Sequence, residues 1–313
     1  MSKTLIILLG PTGVGKTDLS VELAKYYNTE IISCDSRQIY KEMRIGTAVP
    51  DQQTLESIPH HFIQSHSIHD YYNASKFEIE VLEKLELLFQ KKEVVLMTGG
   101  SMMYIDALCK GIDDLPEVDV ELRQSLAERM ETEGIESLRN ELRYRDPVYY
   151  KEVDLRNPKR ILHALEICLM TGSPYSTFRT NRVKERPFNI IKIGLNLDRE
   201  VLYNRINQRV EKMFDDGLES EAKNLYLFRH LNSLNTVGYR EIFDYFDGTI
   251  TLEEAKEKIK ANSRKYARKQ LTWFRRDSGI TWFTPRMKDE IIAFIDQQLF
   301  FKINNKKSWQ SAS

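Results

Sequence analysis

Apolar and polar positions follow two different rhythms along this chain. Leu5–Leu9 is an unbroken apolar run closed by Gly10, the pattern of a strand buried on both faces. Lys16–Tyr27 then carries apolar residues at 19, 23 and 26, a helical spacing. Glu30–Asp35 predicts a second strand. Ser75–Gln90 predicts an amphipathic helix with Phe77, Val81, Leu82, Leu85 and Leu88 on one side. Val94–Thr98 predicts a third strand, ended by Gly99-Gly100, and Ser101–Cys109 another helix. Strands alternating with helices imply parallel crossover connections, and so an α/β sheet covered on both faces.

The rhythm then changes. Residues 116–186 carry helical signals and little strand character. Glu121–Glu131 and Arg160–Met170 read as helices, the second stopped at Gly172 with Pro174 beyond. A strand returns at Asn189–Asn196. Helices follow at 199–214, 218–229 and 252–275, then a short strand at Thr281–Thr284. The expected organisation is a first core segment (1–115), a mostly helical insertion (116–186), a second core segment (187–301) and a polar, frayed tail (302–313).

At 313 residues, 41% hydrophobic and 29% charged, the chain has apolar mass for a real core. Its 46 basic and 46 acidic residues cancel, which argues against a polyanion partner only until the charges are placed. Residues 139–186 hold 11 Lys/Arg against 6 Asp/Glu, and residues 256–276 hold 9 against 1. Local field decides what docks, so the neutral total conceals two basic regions. Cys34, Cys109 and Cys168 lie far apart and imply a reducing, cytoplasmic setting. The five-residue apolar run near the N-terminus is too short for a signal sequence or a membrane span. No membrane partner is expected, and a monomer is the default.

The chemistry starts with Gly10, Pro11, Thr12, Gly13, Val14, Gly15, Lys16 and Thr17, which match G-x-x-x-x-G-K-[ST] between an apolar strand and a helix. The glycines let successive N–H groups curl inward around phosphate oxygens, and the helix N-terminus adds partial positive charge. Lys16 supplies a cation to the phosphates and Thr17 a hydroxyl to Mg²⁺. The motif specifies phosphate, not which phosphate compound. No guanine-reading Asn-Lys-x-Asp occurs, and the third strand ends in Thr98-Gly99-Gly100 rather than the metal-binding Asp of a typical ATPase. The second strand does end in an acid, Asp35. Strand C-terminal ends face the ligand crevice of an open sheet, which brings Asp35 near the loop. Position alone leaves it as metal support, as a general base beside an electrophilic diphosphate, or as a helix N-cap. Ser36, Gln38 and Tyr40 offer hydroxyl, amide and ring groups suited to a nucleobase edge.

Taken together, these blocks resemble the tRNA dimethylallyltransferases (tRNA isopentenyltransferases). The resemblance is carried by residues 10–17, Ile31–Tyr40, Met43–Pro50, Ile58-Pro-His-His61, Gly99–Tyr104, Asn157-Pro-Lys-Arg-Ile161 with Ala164-Leu-Glu166, Val237-Gly-Tyr-Arg240 and Arg268–Arg275. It spans about residues 5–283. It implies a P-loop NTPase-like fold, and transfer of a dimethylallyl group from dimethylallyl diphosphate to N6 of adenosine-37, just 3′ of a tRNA anticodon. By the same resemblance the loop holds the donor's diphosphate, Asp35 is the general base, Thr12 and Ser101 stand at the reacting centre, and Arg209 lies near the diphosphate. Ser101 stands where the family commonly has Thr, keeping the hydroxyl and losing a methyl. The tRNA contacts implied are Asp35, Ser36, Arg37, Gln38, Ser101, Arg123, Lys159, Arg160, Ile161, Leu162 and His163, with the helical insertion gripping the anticodon stem–loop. The chemistry agrees. An exocyclic amine has a delocalised lone pair and needs a base, while the leaving diphosphate needs cations and Mg²⁺.

On the helix at 252–275, Arg264 and Arg268, and likewise Lys265 and Lys269, are four apart and share a face. With Tyr266 and Gln270 interleaved, that face suits either RNA phosphates or plain solvent; Trp273 and Phe274 read as core. The insertion adds Arg139, Arg143, Arg145, Arg179, Arg182, Lys184 and Arg186. His60, His61, His66 and His69 read as packing or local hydrogen bonding rather than a metal site, since no Cys is clustered with them. The rivals are an ATP-using small-molecule kinase and a nucleotide-switched RNA-binding protein without chemistry.

Overall fold

A computed structural model describes residues 3–113, 115–116, 119–180 and 182–310. Residues 1–109 with 185–313 form one compact unit and 110–184 a second. The first unit contains β1 (Thr4–Leu9), α1 (Lys16–Tyr26), β2 (Ile31–Ser33), α2 (Gln52–Ser57), β3 (His60–His61), α3 (Ala74–Leu88), β4 (Val94–Gly99) and α4 (Met102–Lys110). The second unit follows with α5 (Val120–Glu133), α6 (Ile135–Arg145), α7 (Pro147–Glu152), α8 (Pro158–Thr171) and α9 (Tyr175–Phe178). The chain returns to the first unit through β5 (Asn189–Leu195), α10 (Arg199–Asp215), α11 (Leu218–Leu225), α12 (Tyr239–Phe246), α13 (Leu252–Phe274), β6 (Ile280–Phe283) and α14 (Lys288–Gln310).

The six strands are all parallel, in the order β3-β2-β4-β1-β5-β6. β1 lies at the centre, and every one of its six residues is fully buried. Alternation along the strand sends Leu5, Ile7 and Leu9 to one face, against Phe77, Val81, Ile105 and Leu108. Ile6 and Leu8 go to the other, against Leu19, Leu23, Ile206, Ile291 and Ile295. The chain passes from β1 to β2 on one side and later from β4 across to β5 on the other, and a crevice opens at such a switch point beyond the strand C-termini. The phosphate-loop sequence begins at that spot.

The second unit has its own core, with Leu126, Leu138, Leu142, Ile161 and Leu165 all buried. Asp146 caps α7 by accepting the N–H of Tyr149 (2.9 Å), and also takes the N–H (2.6 Å) and hydroxyl (2.8 Å) of Ser176. Asn157 caps α8, with Pro158 in its first turn, and Gly172 ends the helix at φ 68°, a left-handed conformation that glycine adopts without strain.

Several expectations change. The tail from Lys302 is not frayed: α14 continues to Gln310, and only Ser311–Ser313 lie outside the described residues. Ile291 and Ile295 anchor this helix in the core, and each further residue then adds a helical hydrogen bond without a new nucleation step. The helix at 218–229 stops at Leu225 and passes into a 3₁₀ turn, Tyr226–Phe228. The division between units falls at Lys110 and Lys184 instead of 116 and 186. Arg186 belongs to the first unit because its guanidinium is buried there, on Glu78 of α3 (2.6 Å) and on the Ala107 and Leu108 carbonyls of α4.

Removing one partner of a buried ion pair strands the other. Arg186→Ala should cost about 3–5 kcal/mol, read as a lowered urea midpoint, and Arg186→Met with Glu78→Leu should recover most of that loss.

Candidate active site

The loop from Gly10 to Thr17 leaves β1 and turns into α1. Gly13 (φ 79°) and Gly15 (φ 101°) supply its left-handed turns. A side chain on Gly10 would meet the Leu195 carbonyl at 2.7 Å, and Val14 is fully buried, so these two residues shape the loop by packing. The Lys16 ammonium folds back onto the Gly10 and Pro11 carbonyls, 2.9 Å each. Desolvation and the nearby Arg209 guanidinium lower its pKa to about 8, against the opposing pull of Asp35. Arg209 is itself lowered by desolvation, with Asp35 again opposing. Thr12, Lys16, Thr17, Asp35, Arg205 and Arg209 line a cavity of about 290 Å³. Three cations converging on one small cavity constitute a site for a polyanion.

Arg205 was not singled out from the sequence. A signal existed, because it stands one helical turn before Arg209 on α10 and shares its face.

A second cavity, about 330 Å³, is lined by Ser36, Arg37, Gly46, Ile206, Val210 and Val237 among others. Thr12, Asp35, Arg209 and Tyr266 belong to both linings, so the two cavities meet there. Asp35 Oδ1 accepts the N–H groups of Arg37 (2.8 Å) and Gln38 (3.2 Å), which caps the turn and orients the carboxylate. Oδ2 accepts no hydrogen bond from the described residues. The capping role therefore uses one oxygen and leaves the other for chemistry. The Ser101 hydroxyl accepts the Ser36 N–H at 2.8 Å, and the Ser101 N–H donates to the Cys34 carbonyl at 3.2 Å, fastening the ends of β2 and β4 together.

Other candidate residues are held by the protein itself. Gln270 is 2% exposed. Its Oε1 accepts the Thr12 N–H (2.9 Å) and its Nε2 donates to the Gly100 carbonyl (2.8 Å), so it braces the loop. Arg37 Nη1 donates to the Asn232 and Ser233 carbonyls, at 3.1 and 2.9 Å. The Gln38 amide donates to the Thr47 (3.1 Å) and Ala48 (2.9 Å) carbonyls. That stretch is pinned in turn by Glu221, also missed in the sequence, whose carboxylate accepts the N–H groups of Arg44, Ile45 and Gly46 and the Tyr239 hydroxyl. Arg264 and Arg268 bond Asn207 (2.6 Å) and Tyr203 (3.0 Å) of α10, while Lys265 and Lys269 stay exposed. Trp273 and Phe274 pack in the core.

In the second unit, Arg123 pairs with the buried Glu166 at 2.6 Å, and His163 stands 3.6 Å from the same carboxylate. Ile161 is fully buried in that unit's core, so its side chain is unavailable to RNA, and Leu162 is half-buried. Lys159 and Arg160 are exposed in the first turn of α8. Cations oppose the dipole at a helix N-terminus, an arrangement that an external anion would relieve. Among the histidines, His60 bonds the Ile58 carbonyl (2.8 Å), His61 bonds Glu30 (2.6 Å), His66 lies beside Ser65 and Glu80, and His69 meets the Phe228 ring edge-on. Among the described residues no group of three His, Cys, Asp or Glu could hold a metal. The Thr17 hydroxyl, at the cavity and without a partner among the described residues, is a hard oxygen donor. It fits Mg²⁺, which takes one or two protein oxygens and completes its shell from phosphate and water.

The fold is a P-loop NTPase-like parallel α/β sheet with a cation-lined cavity at the loop that follows β1. The sequence model of the IPP transferase family matches residues 38–277, and the chain belongs to that family. It is 56% identical to tRNA dimethylallyltransferase 1 of Bacteroides fragilis over 95% of this chain and 99% of that one. It is 58% identical to the protein of the same name from Phocaeicola vulgatus, over 94% and 98%. The full-length tRNA isopentenylpyrophosphate transferase of Bacillus halodurans superposes with a TM-score of 0.72 at 34% identity, covering 97% of this chain and 99% of that one. A eukaryotic dimethylallyltransferase acting on tRNA gives 0.74 at 28% identity, covering 87% and 70%.

A lysine held near 8 is about half neutral at pH 8, and a bound diphosphate favours its charged form. Affinity for inorganic diphosphate should therefore fall as pH rises through 8. Binding at pH 8 should take up about half a proton more in the natural protein than in Lys16→Gln. Titration calorimetry in buffers of different ionisation enthalpy measures this; equal uptake by both proteins would contradict it.

Proposed function

We propose that this protein transfers the dimethylallyl group of dimethylallyl diphosphate to N6 of the adenosine immediately 3′ of the anticodon in tRNA, releasing diphosphate. The observation that carries this reading is the meeting of two cavities at Thr12, Asp35, Arg209 and Tyr266. The first gathers the cations a diphosphate requires. The second is lined by Ile206, Val210 and Val237 together with the polar groups of Ser36 and Arg37, which suits an adenine lifted out of a loop. An ATP-using kinase would need an acceptor for a phosphoryl group in place of a carbon electrophile. The relatives' names favour the prenyl donor.

Asp35 Oδ2 takes the N6 proton as the bond from N6 to C1 of the prenyl group forms and the C1–O bond breaks. The Oδ1 hydrogen bonds keep the carboxylate aimed while this happens. The departing diphosphate gains charge facing Lys16, Arg205, Arg209 and the loop N–H groups, with Lys16 turning to it from the Gly10 and Pro11 carbonyls. Mg²⁺, held by Thr17 and the diphosphate itself, would add Lewis-acid stabilisation of that leaving group. Thr12, whose hydroxyl lies 3.3 Å from Arg209 Nη1, keeps this cation over the junction.

RNA contact is supported by exposed cations that the protein leaves without an ion pair. Arg143, Lys159 and Arg160 of the second unit form no side-chain hydrogen bond or ion pair with the described residues. By contrast Arg145 is held by Glu141, and Arg179 by Glu152. No helix among the described residues is long and apolar enough to cross a membrane. The three scattered cysteines suit a reducing cytoplasm.

Asp35→Asn keeps a similar shape and removes the base. Its prenyl-transfer rate should fall by about 10²–10⁴-fold while tRNA affinity stays within a few-fold. Single-turnover transfer with a parallel RNA-binding titration decides this, and a rate near that of the natural protein would exclude Asp35 as the base.

A further inference from the structure

We infer that Tyr266 is a catalytic residue whose aromatic face stabilises the positive charge developing on the five-carbon group during transfer. This rests on the prenyl-transfer reading above and adds a role that the reading leaves unassigned.

The inference comes from the junction of the two cavities. A diphosphate held by Lys16 and Arg205 and an adenine in the second cavity can react only where the cavities meet. Four residues belong to both linings. Arg209 is a cation directed at the diphosphate, the Thr12 hydroxyl accepts from it, and Asp35 takes the proton. The remaining surface is the Tyr266 ring, the one aromatic side chain in both linings. Ile259, Ser263, Tyr266 and Gln270 recur at helical spacing along α13, so the same face that braces the phosphate loop presents the ring.

Tyr266 has no other evident duty. It is 37% exposed, the mark of a ring outside the core, and its hydroxyl forms no hydrogen bond with the described residues. Desolvation at the cavity junction, with Asp35 nearby, pushes its pKa up to about 12, further above working pH than an ordinary phenol. As the C1–O bond lengthens, positive charge spreads over C1 and C3 of the allylic unit. An electron-rich ring attracts such a charge, and more strongly where water is excluded. The electron pair of the breaking bond leaves with the diphosphate, and the ring is chemically unchanged.

The test is the single-turnover rate of transfer to tRNA at saturating dimethylallyl diphosphate. Tyr266→Leu should lower it about tenfold, with the donor's dissociation constant changed less than threefold. Tyr266→Phe, which keeps the ring, should restore most of that loss. Phenylalanines bearing one, two and three ring fluorines at position 266 should lower the rate stepwise, because fluorine drains the ring face while preserving its shape. A leucine variant as fast as the natural protein would overturn the proposal. A phenylalanine variant as slow as leucine would also overturn it, by assigning the effect to the hydroxyl, and a flat fluorine series would reduce the ring to a packing surface. No transfer by the natural protein would remove the underlying reading, and this inference with it.

Discussion

One buried amide connects the two halves of the candidate site. Gln270 of α13 accepts the N–H of Thr12 and donates to the carbonyl of Gly100. The first bond fixes the phosphate loop, where Thr12 meets Arg209. The second fixes the end of β4, where Ser101 takes the Ser36 N–H and so sets the turn that begins at Asp35. The cation-lined loop and the turn at Asp35 are thereby held in one frame by a single buried side chain. A Cβ at position 100 would stand 2.3 Å from Gln270 Nε2, so a side chain there would displace this amide. A half-satisfied buried amide is costly, so this brace is either complete or strongly destabilising.

The electrostatics of the first cavity follow from that frame. Lys16 and Arg209 are desolvated beside one another, which disfavours both charges, and Asp35 only partly offsets the repulsion. A bound polyanion would supply the missing negative charge and relieve that repulsion. Under the proposed reaction the same field would favour departure of the leaving group, which carries more charge after the bond breaks than before. Two backbone hydrogen bonds occupy one Asp35 oxygen, and the other accepts none from the described residues.

The sequence was most legible where structure is local. Leu5–Leu9 could only be a strand buried on both faces, and the glycine pattern of residues 10–17 could only follow such a strand. α1, α3, β4, α10 and α13 were read to within a few residues because their apolar spacing is strong. β3 was missed because it is two residues long and owes its existence to pairing with Ile31 and Ile32. α14 was not predicted at all, and its polar end, read as a frayed tail, is helical by continuing a start anchored by the buried Ile291 and Ile295. Long-range bonds left no local trace: Gln270 and Thr12 are 258 residues apart. That distance is why Gln270 reads as an RNA contact in sequence and as a brace in space. Arg186 was placed among RNA-facing arginines for a similar reason, since composition cannot distinguish a solvated guanidinium from one buried on Glu78.

The central claim is that the protein joins a prenyl carbon to an adenine nitrogen. The most direct test incubates unmodified tRNA with the protein, dimethylallyl diphosphate and Mg²⁺, digests the RNA, and reads the nucleosides of the anticodon loop by mass spectrometry. The account predicts a gain of one prenyl group on the adenosine beside the anticodon, with one diphosphate released for each. An RNA of unchanged mass, bound by a protein that hydrolyses ATP instead, would contradict it.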